Sequence, residues 1–203
     1  ALSTKTKAPV ATVIVLSSTP AMYADGLFSD DHLADELAGR LLTLVRAARS
    51  TRVSYLIDPN LYAEVTAMAE GYQVGPPGQL KDGAGRAAAT TWLNALAEAA
   101  GDGYVLPFAN VDLQALATTR QTAGVAKRTR AATRSVEALE HLPLAVLPRH
   151  GLLDAKGLAL AAELDPTLVL ASTVRPPATL TKLTDRPAVV RFSADAFAGG
   201  PPG

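Results

Sequence analysis

Six short apolar runs punctuate the chain: TVIVL (12–16), VSYLI (53–57), YVLP (104–107), LAVL (144–147), LVLA (168–171) and AVVRF (188–192). Each has the length of a buried strand, and several are rich in β-branched residues. Amphipathic stretches separate most of them. Leu33, Leu37, Leu41, Leu44 and Ala48 recur on one helical face, the spacing of a helix that buries a single stripe. Val65, Met68 and Ala69 repeat that pattern over a shorter length, Ala88, Trp92, Ala95 and Ala99 form a third face, and Leu113 and Leu116 follow. Further helices are expected over about 124–141 and 154–164. The Gly- and Pro-rich stretch VGPPGQLKDGAG (74–85) predicts a loop inside the second crossover.

Strand and helix in alternation predict an α/β fold, a parallel sheet with flanking helices. The near-continuous apolarity of the strands agrees, because parallel strands are covered on both faces. Five to six strands fit an open sheet or a partial, incomplete (β/α) barrel better than a closed barrel of eight. No internal boundary interrupts the pattern, so a single α/β domain is expected over 11–195, between linker-like ends at 1–10 and 196–203.

Composition narrows the setting. A chain of 203 residues that is 48% hydrophobic can bury roughly 70% of its unfolded surface and needs no staple. Nineteen basic residues balance nineteen acidic ones, so net charge gives no reason to expect nucleic acid or an anionic membrane as partner. The absence of cysteine excludes disulfides, thiolate metal sites and a cysteine nucleophile. No apolar run approaches the ~18 residues of a membrane span, and ALSTKTKAPV lacks the apolar core of a signal peptide. The chain starts without Met and stops at AGGPPG. It is therefore expected to be a piece of a longer protein, with membrane contact only through segments outside this chain.

In a parallel α/β architecture ligands bind at the carboxyl ends of the strands. The residues after each run are thus the candidates. Tyr23 and Asp25 follow the first, Asp58 and Asn60 the second, Phe108, Asn110 and Asp112 the third, Arg149 and His150 the fourth, and Arg175 the fifth. The first three units carry acids to this rim and the next two carry bases. An arginine there offers a planar fork for a phosphate or carboxylate.

Asp58 and Asp112, on loops after consecutive strands about 4.8 Å apart, have the reach of a catalytic carboxylate pair. A structural role competes with that reading. Asp58-Pro59 suits an N-cap followed by proline at the first helical position. Asn110 can cap the next helix with Asp112 in its first turn. The run SDDH (29–32) reads as a helix start with Ser29 as cap rather than a metal site. Three histidines without HxxxH or HExxH spacing predict no zinc site, and no nucleotide-binding motif predicts a cofactor. The basic run KRTRAATR (127–134) reads as a solvated helix face.

GLFSDDHLADELAGRL, VSYLIDPNLYAEVTAMAEGYQV, AAATTWLNAL, YVLPFANVDLQALA and LAVLPRHGLLDAKGLALAAELDPTLVLAS, taken one after another, resemble the extracytoplasmic part of an uncharacterised actinobacterial family. Its members look like secreted, membrane-anchored envelope proteins encoded beside a MurJ-type lipid II flippase. The resemblance spans about 10–195, and its most specific elements are Asp58-Pro59, Leu106-Pro107 with Asp112 behind it, and Trp92. Ala109-Asn110 and the basic LPRHG depart from it. Its strand-and-loop style is also similar to glycoside hydrolase and polysaccharide deacetylase barrels, without the Asp-His-His metal motif of the latter.

The resemblance implies an extracytoplasmic cell-envelope location, no established reaction, and a membrane flippase as neighbour. The combined expectation is a domain that binds a cell-wall glycan, a lipid-linked precursor or an envelope partner in peptidoglycan biogenesis. Arg149, His150 and Arg175 would hold anionic groups. Asp58, Asn60, Asn110 and Asp112 would meet hydroxyls, Phe108 or Tyr23 would stack on a ring, and the floor would be apolar. The rival expectation is a glycoside hydrolase-like enzyme with Asp58 and Asp112 as acid and base, which requires a carboxyl of raised pKa in a cleft. A third is a structural module that meets a membrane protein.

Overall fold

The structure, a computed structural model, describes residues 12–76, 78–119, 122–172 and 188–192. Strand β1 (Thr12–Leu16) leads through a long loop to helices α1 (His32–Ala38) and α2 (Arg40–Ala47). Strand β2 (Val53–Ile57) passes at once into α3 (Pro59–Glu70). A short hairpin, β3 (Gln73–Val74) and β4 (Lys81–Asp82), precedes α4 (Arg86–Ala97). Then come β5 (Gly103–Val105), α5 (Leu113–Leu116), α6 (Thr122–Arg134), β6 (Ala145–Val146), α7 (Ala155–Ala162), β7 (Leu168–Ser172) and β8 (Ala188–Phe192).

All the main strands run parallel. They form two three-stranded sheets, β1-β2-β5 and β6-β7-β8. A parallel bridge between Val105 and Leu144 joins them, with the Val105 N–H donating to the Pro143 carbonyl at 3.0 Å. Spatial order thus follows chain order from β1 to β8, apart from the β3–β4 hairpin, which lies outside this sheet. Same-handed crossovers between strands laid down in sequence put the helices on one side. The packing agrees. On one face Leu16, Ile57 and Val105 pack with α1 to α4, and Val146 and Val169 with α5 to α7. On the other, Leu56, Leu106, Ala145 and Leu170 cluster with Val15, Tyr104, Leu147 and Leu168, all from the strands and their immediate ends. This is the expected α/β fold, a parallel sheet with flanking helices, and among the described residues the strands do not close into a barrel.

The differences from expectation have local causes. Gly39 adopts φ −112°, ψ −102° and breaks the first helical stripe into α1 and α2. The stripe survives the break: Leu33, Leu37, Leu41 and Ala48 are buried, Val45 joins them, and Leu44 packs half-buried against the same core. In α4 the buried face is Ala89, Trp92 and Ala95. Helix α6 stops at Arg134, and a single 3-10 turn, Glu137–Leu139, follows it. The segment expected to be a loop contains the antiparallel hairpin, which pairs Gln73 with Asp82 and Val74 with Lys81. The linker-like ends at 1–10 and 196–203 lie outside the described residues. Among the described residues no helix is long and apolar enough to cross a membrane.

Two aromatic anchors fix the helical layer. Trp92 is fully buried, and its indole N–H donates to the Leu41 carbonyl at 3.1 Å, which satisfies the one polar group that burial would otherwise orphan. Phe28, from the long loop after β1, packs against Tyr72 with ring centroids 4.7 Å apart. Trp92→Ala is expected to cost about 3–5 kcal/mol, measured as a lower denaturation midpoint in urea with the slope unchanged.

Candidate functional site

The register brings Leu16, Ile57 and Val105 level. The ladder continues one step past them, with Asp58 N–H donating to the Leu16 carbonyl at 3.0 Å and Leu106 N–H to the Ile57 carbonyl at 2.8 Å. The chain then diverges from each strand at a common rim, around a cavity of about 310 Å³. Ser17 and Ser18 enter it from β1, Asp58 from β2, the turn from Ala109 to Asp112 from β5, and Arg149 from the end of β6.

Asp58 is 2% exposed. It is the N-cap of α3, with Pro59 at the first helical position. One oxygen does both protein-facing jobs: Oδ1 accepts the Asn60 N–H at 2.9 Å and the Ala109 N–H at 2.9 Å. Oδ2 accepts nothing from the described residues. Burial pushes the carboxyl up to about 6, against the pull of the two amides, and the charge of Glu64 adds to the rise. Removal from water disfavours the carboxylate form.

The turn that Asp58 holds is strained. Ala109 has φ 56°, ψ 23° and Asn110 φ 40°. Asparagine tolerates this left-handed region, whereas alanine pays roughly 1–2 kcal/mol for it. The Asp58 carboxyl grips the Ala109 amide, the Thr133 hydroxyl accepts the Phe108 N–H at 2.9 Å, and the Pro107 carbonyl accepts the Asn110 N–H at 2.8 Å. Asp112, not Asn110, caps the helix that follows. Its backbone is extended and its Oδ1 accepts the Ala115 N–H at 3.0 Å, whereas Asn110 is committed to the left-handed turn.

Of the other candidates, Arg149 is exposed and no described carboxylate pairs with it. The side chain of His150 and the whole of Arg175 lie outside the described residues. Asn60 is buried behind Asp58 and does not line the cavity. Tyr23 is 59% exposed on the β1 loop and stays clear of it. Phe108 faces a neighbouring depression of about 290 Å³ with Arg128 and Thr129, and the two hollows share Ala109 and Val111 as a wall. The floor expected to be apolar is mostly polar; Ala109 and Val111 are its apolar members.

The SDDH stretch is arranged differently from expectation. Asp31, without a side-chain cap bond, stands at the N-cap position of α1 in place of Ser29. Asp30 accepts the His32 N–H at 2.9 Å and pairs with its imidazole, and Asp31 accepts the Tyr72 hydroxyl. Among the described residues no three histidines and acids group as a metal site would require. In the basic run, Thr129 and Thr133 are buried while Arg130 lies 3.6 Å from Asp165.

One buried acid outside the cavity lining escaped the sequence reading. Glu64 is 1% exposed, and its Oε1 accepts the Ala21 N–H at 2.9 Å and the Met22 N–H at 3.0 Å. The signal was there: Glu64 falls on the same helical face as Leu61, Val65 and Met68, where an acid is out of place.

Comparison with protein-family models and with curated proteins returned no match for this chain. The roles of the rim residues therefore rest on geometry.

Asp58→Asn separates the structural job from the acid. Asparagine caps as well as aspartate and keeps an acceptor for both amides. The folded-state value, about 6, lies above the ordinary 3.8, so the stability contributed by the neutral carboxyl is complete below the ordinary value and lost as pH rises through 6. The shift corresponds to about 3 kcal/mol. At pH 8 Asp58→Asn is expected to be about 1–3 kcal/mol more stable than the parent, with the difference vanishing near pH 4. Urea denaturation at both pH values checks this, and a variant less stable at pH 8 contradicts it.

Proposed function

We propose that the rim cavity binds a hydroxyl-rich unit bearing an anionic group, as found in a cell-wall glycan or its lipid-linked precursor, in an extracytoplasmic domain of the cell envelope. The observation that carries this reading is the convergence of Asp58, Asn110, Asp112 and Arg149 on one cavity at the ends of parallel strands. Free carboxylate oxygens accept from sugar hydroxyls, and the asparagine amide both donates and accepts. Arg149 supplies the fork for a carboxylate or phosphate. The hollow beside Phe108 and Arg128, across the shared wall, suits a second ring with its own anionic substituent. The envelope address and a membrane flippase as neighbour are supported by the resemblance of the chain to an envelope-protein family.

Calorimetric titration with soluble peptidoglycan fragments and with a water-soluble lipid II headgroup analogue tests the reading. Arg149→Ala is expected to weaken binding at least about tenfold, and Asp112→Asn, which preserves the cap, to weaken it less. Parent-like affinity in both variants would remove this site from the account.

A second reading, hydrolysis of a glycosidic bond, is favoured by one specific observation: a buried carboxyl, which removal from water pushes up to about 6, lines one cavity with a second carboxyl. Asp58 Oδ2 would carry the proton to the departing oxygen as the bond to the anomeric carbon breaks. Asp112 would take a proton from the attacking water. In this reading Asp58→Asn binds glycan and turns none over; undiminished turnover in Asp58→Asn eliminates it.

A further inference from the structure

We propose that Glu64 is a positioning residue for the rim site: from α3, the helix that Asp58 caps, it ties down the loop that carries Ser17 and Ser18 and sets a second buried carboxyl on the same helix. This inference rests on reading the rim cavity as the working site.

Glu64 stands six positions after Asp58, the N-cap of α3, and does not itself line the cavity. Its Oε1 takes two consecutive amides, Ala21 and Met22, in the loop leaving β1. The same loop is held at its start by Arg40, which donates to the Ser17 carbonyl at 3.0 Å. Ser17 and Ser18 are thereby fixed against the cavity from both ends. The hydroxyl of Ser18 is shut away from water with no partner among the described residues.

Tying a loop does not need an acid, because a glutamine accepts the same two amides. What glutamine lacks is the charge. The second oxygen of Glu64, Oε2, is buried and finds no donor among the described residues, an arrangement that costs stability. Among the described residues, few charged groups stand near Asp58. Glu64 shares its helix, Asp112 stands at the turn after β5, and Arg149 lies across the cavity in solvent, where water screens it. The β1 loop brings only the neutral Ser17 and Ser18 to this wall. Like charge from Glu64 resists ionisation of Asp58, in the same direction as burial. Its carboxylate therefore serves two ends: it sets the loop, and it keeps Asp58 ready to hold a proton against a bound hydroxyl or leaving group.

The test is carbon-detected NMR titration of the Asp58 carboxyl in the parent and in Glu64→Gln, with amide exchange at Ala21 and Met22 followed in Glu64→Gln and Glu64→Ala. In Glu64→Gln the two amides are expected to stay protected while the Asp58 midpoint moves down, remaining above the ordinary aspartate value because burial persists. In Glu64→Ala the exchange of both amides is expected to rise about tenfold or more. An Asp58 midpoint unchanged in Glu64→Gln overturns the proposal, because a merely structural glutamate would leave that titration alone. Unchanged exchange in Glu64→Ala overturns it as well. If Glu64→Ala does not fold, the Glu64→Gln titration decides. Neither readout uses a ligand, so a failed glycan titration and a failed Glu64 test are separate results.

Discussion

The carboxyl of Asp58 is where three parts of the chain meet. It caps α3, it holds the Ala109 amide of the turn after β5, and it opens onto the rim cavity. Both structural bonds converge on one oxygen, and the other is left without a protein donor among the described residues. That division is a physical constraint on the whole site. Losing the bond to Ala109 would release a left-handed alanine that nothing in its own side chain favours, and the turn carrying Asn110 would relax with it. Yet an asparagine would make the same two bonds without the cost of ionising in a buried place. The acid is more than the cap requires, and the excess falls on the oxygen that faces the cavity.

The sheet explains why residues so far apart in sequence share one hollow. Parallel strands laid down in chain order send their carboxyl ends to the same edge, so the segments after β1, β2, β5 and β6 meet at one rim. Helices occupy one face and the clustered strand side chains the other. The loops are then pinned rather than free: the β1 loop by Glu64 and Arg40, the β5 turn by Asp58 and Thr133, and the start of α7 by Asp154, whose carboxylate accepts the Gly157 N–H at 2.8 Å. A site assembled from pinned loops on a rigid sheet has its polar groups set before a ligand arrives, which lowers the ordering cost of binding.

Much of this fold was legible in the chain because parallel strands announce themselves as apolar runs. VSYLI and AVVRF match β2 and β8 residue for residue. The hairpin at Gln73–Val74 and Lys81–Asp82 left no trace, since two-residue strands carry no period and the prolines between them read as loop. Gly39 hid a helix break, because one glycine inside a helical pattern is usually tolerated. The site was half legible. The Asp58 cap was plain from its proline. The exchange of roles between Asn110 and Asp112 was not, because it depends on a left-handed turn that Ala109 gives no reason to expect. Tyr23 and Phe108 were chosen by nearness in sequence to the strand ends, and loop geometry turns both away from the cavity. Glu64 lies inside a helix, where a reading of strand ends does not look.

Asp58 is a buried acid poised at the rim and more than a helix cap. Carbon-detected NMR titration of the Asp58 carboxyl in the parent protein tests it most directly. Burial at the rim is expected to give a midpoint near 6. A midpoint at or below the ordinary aspartate value would mean that the two amides outweigh burial, that the carboxylate is ionised throughout the physiological range, and that capping and turn-holding are all it does.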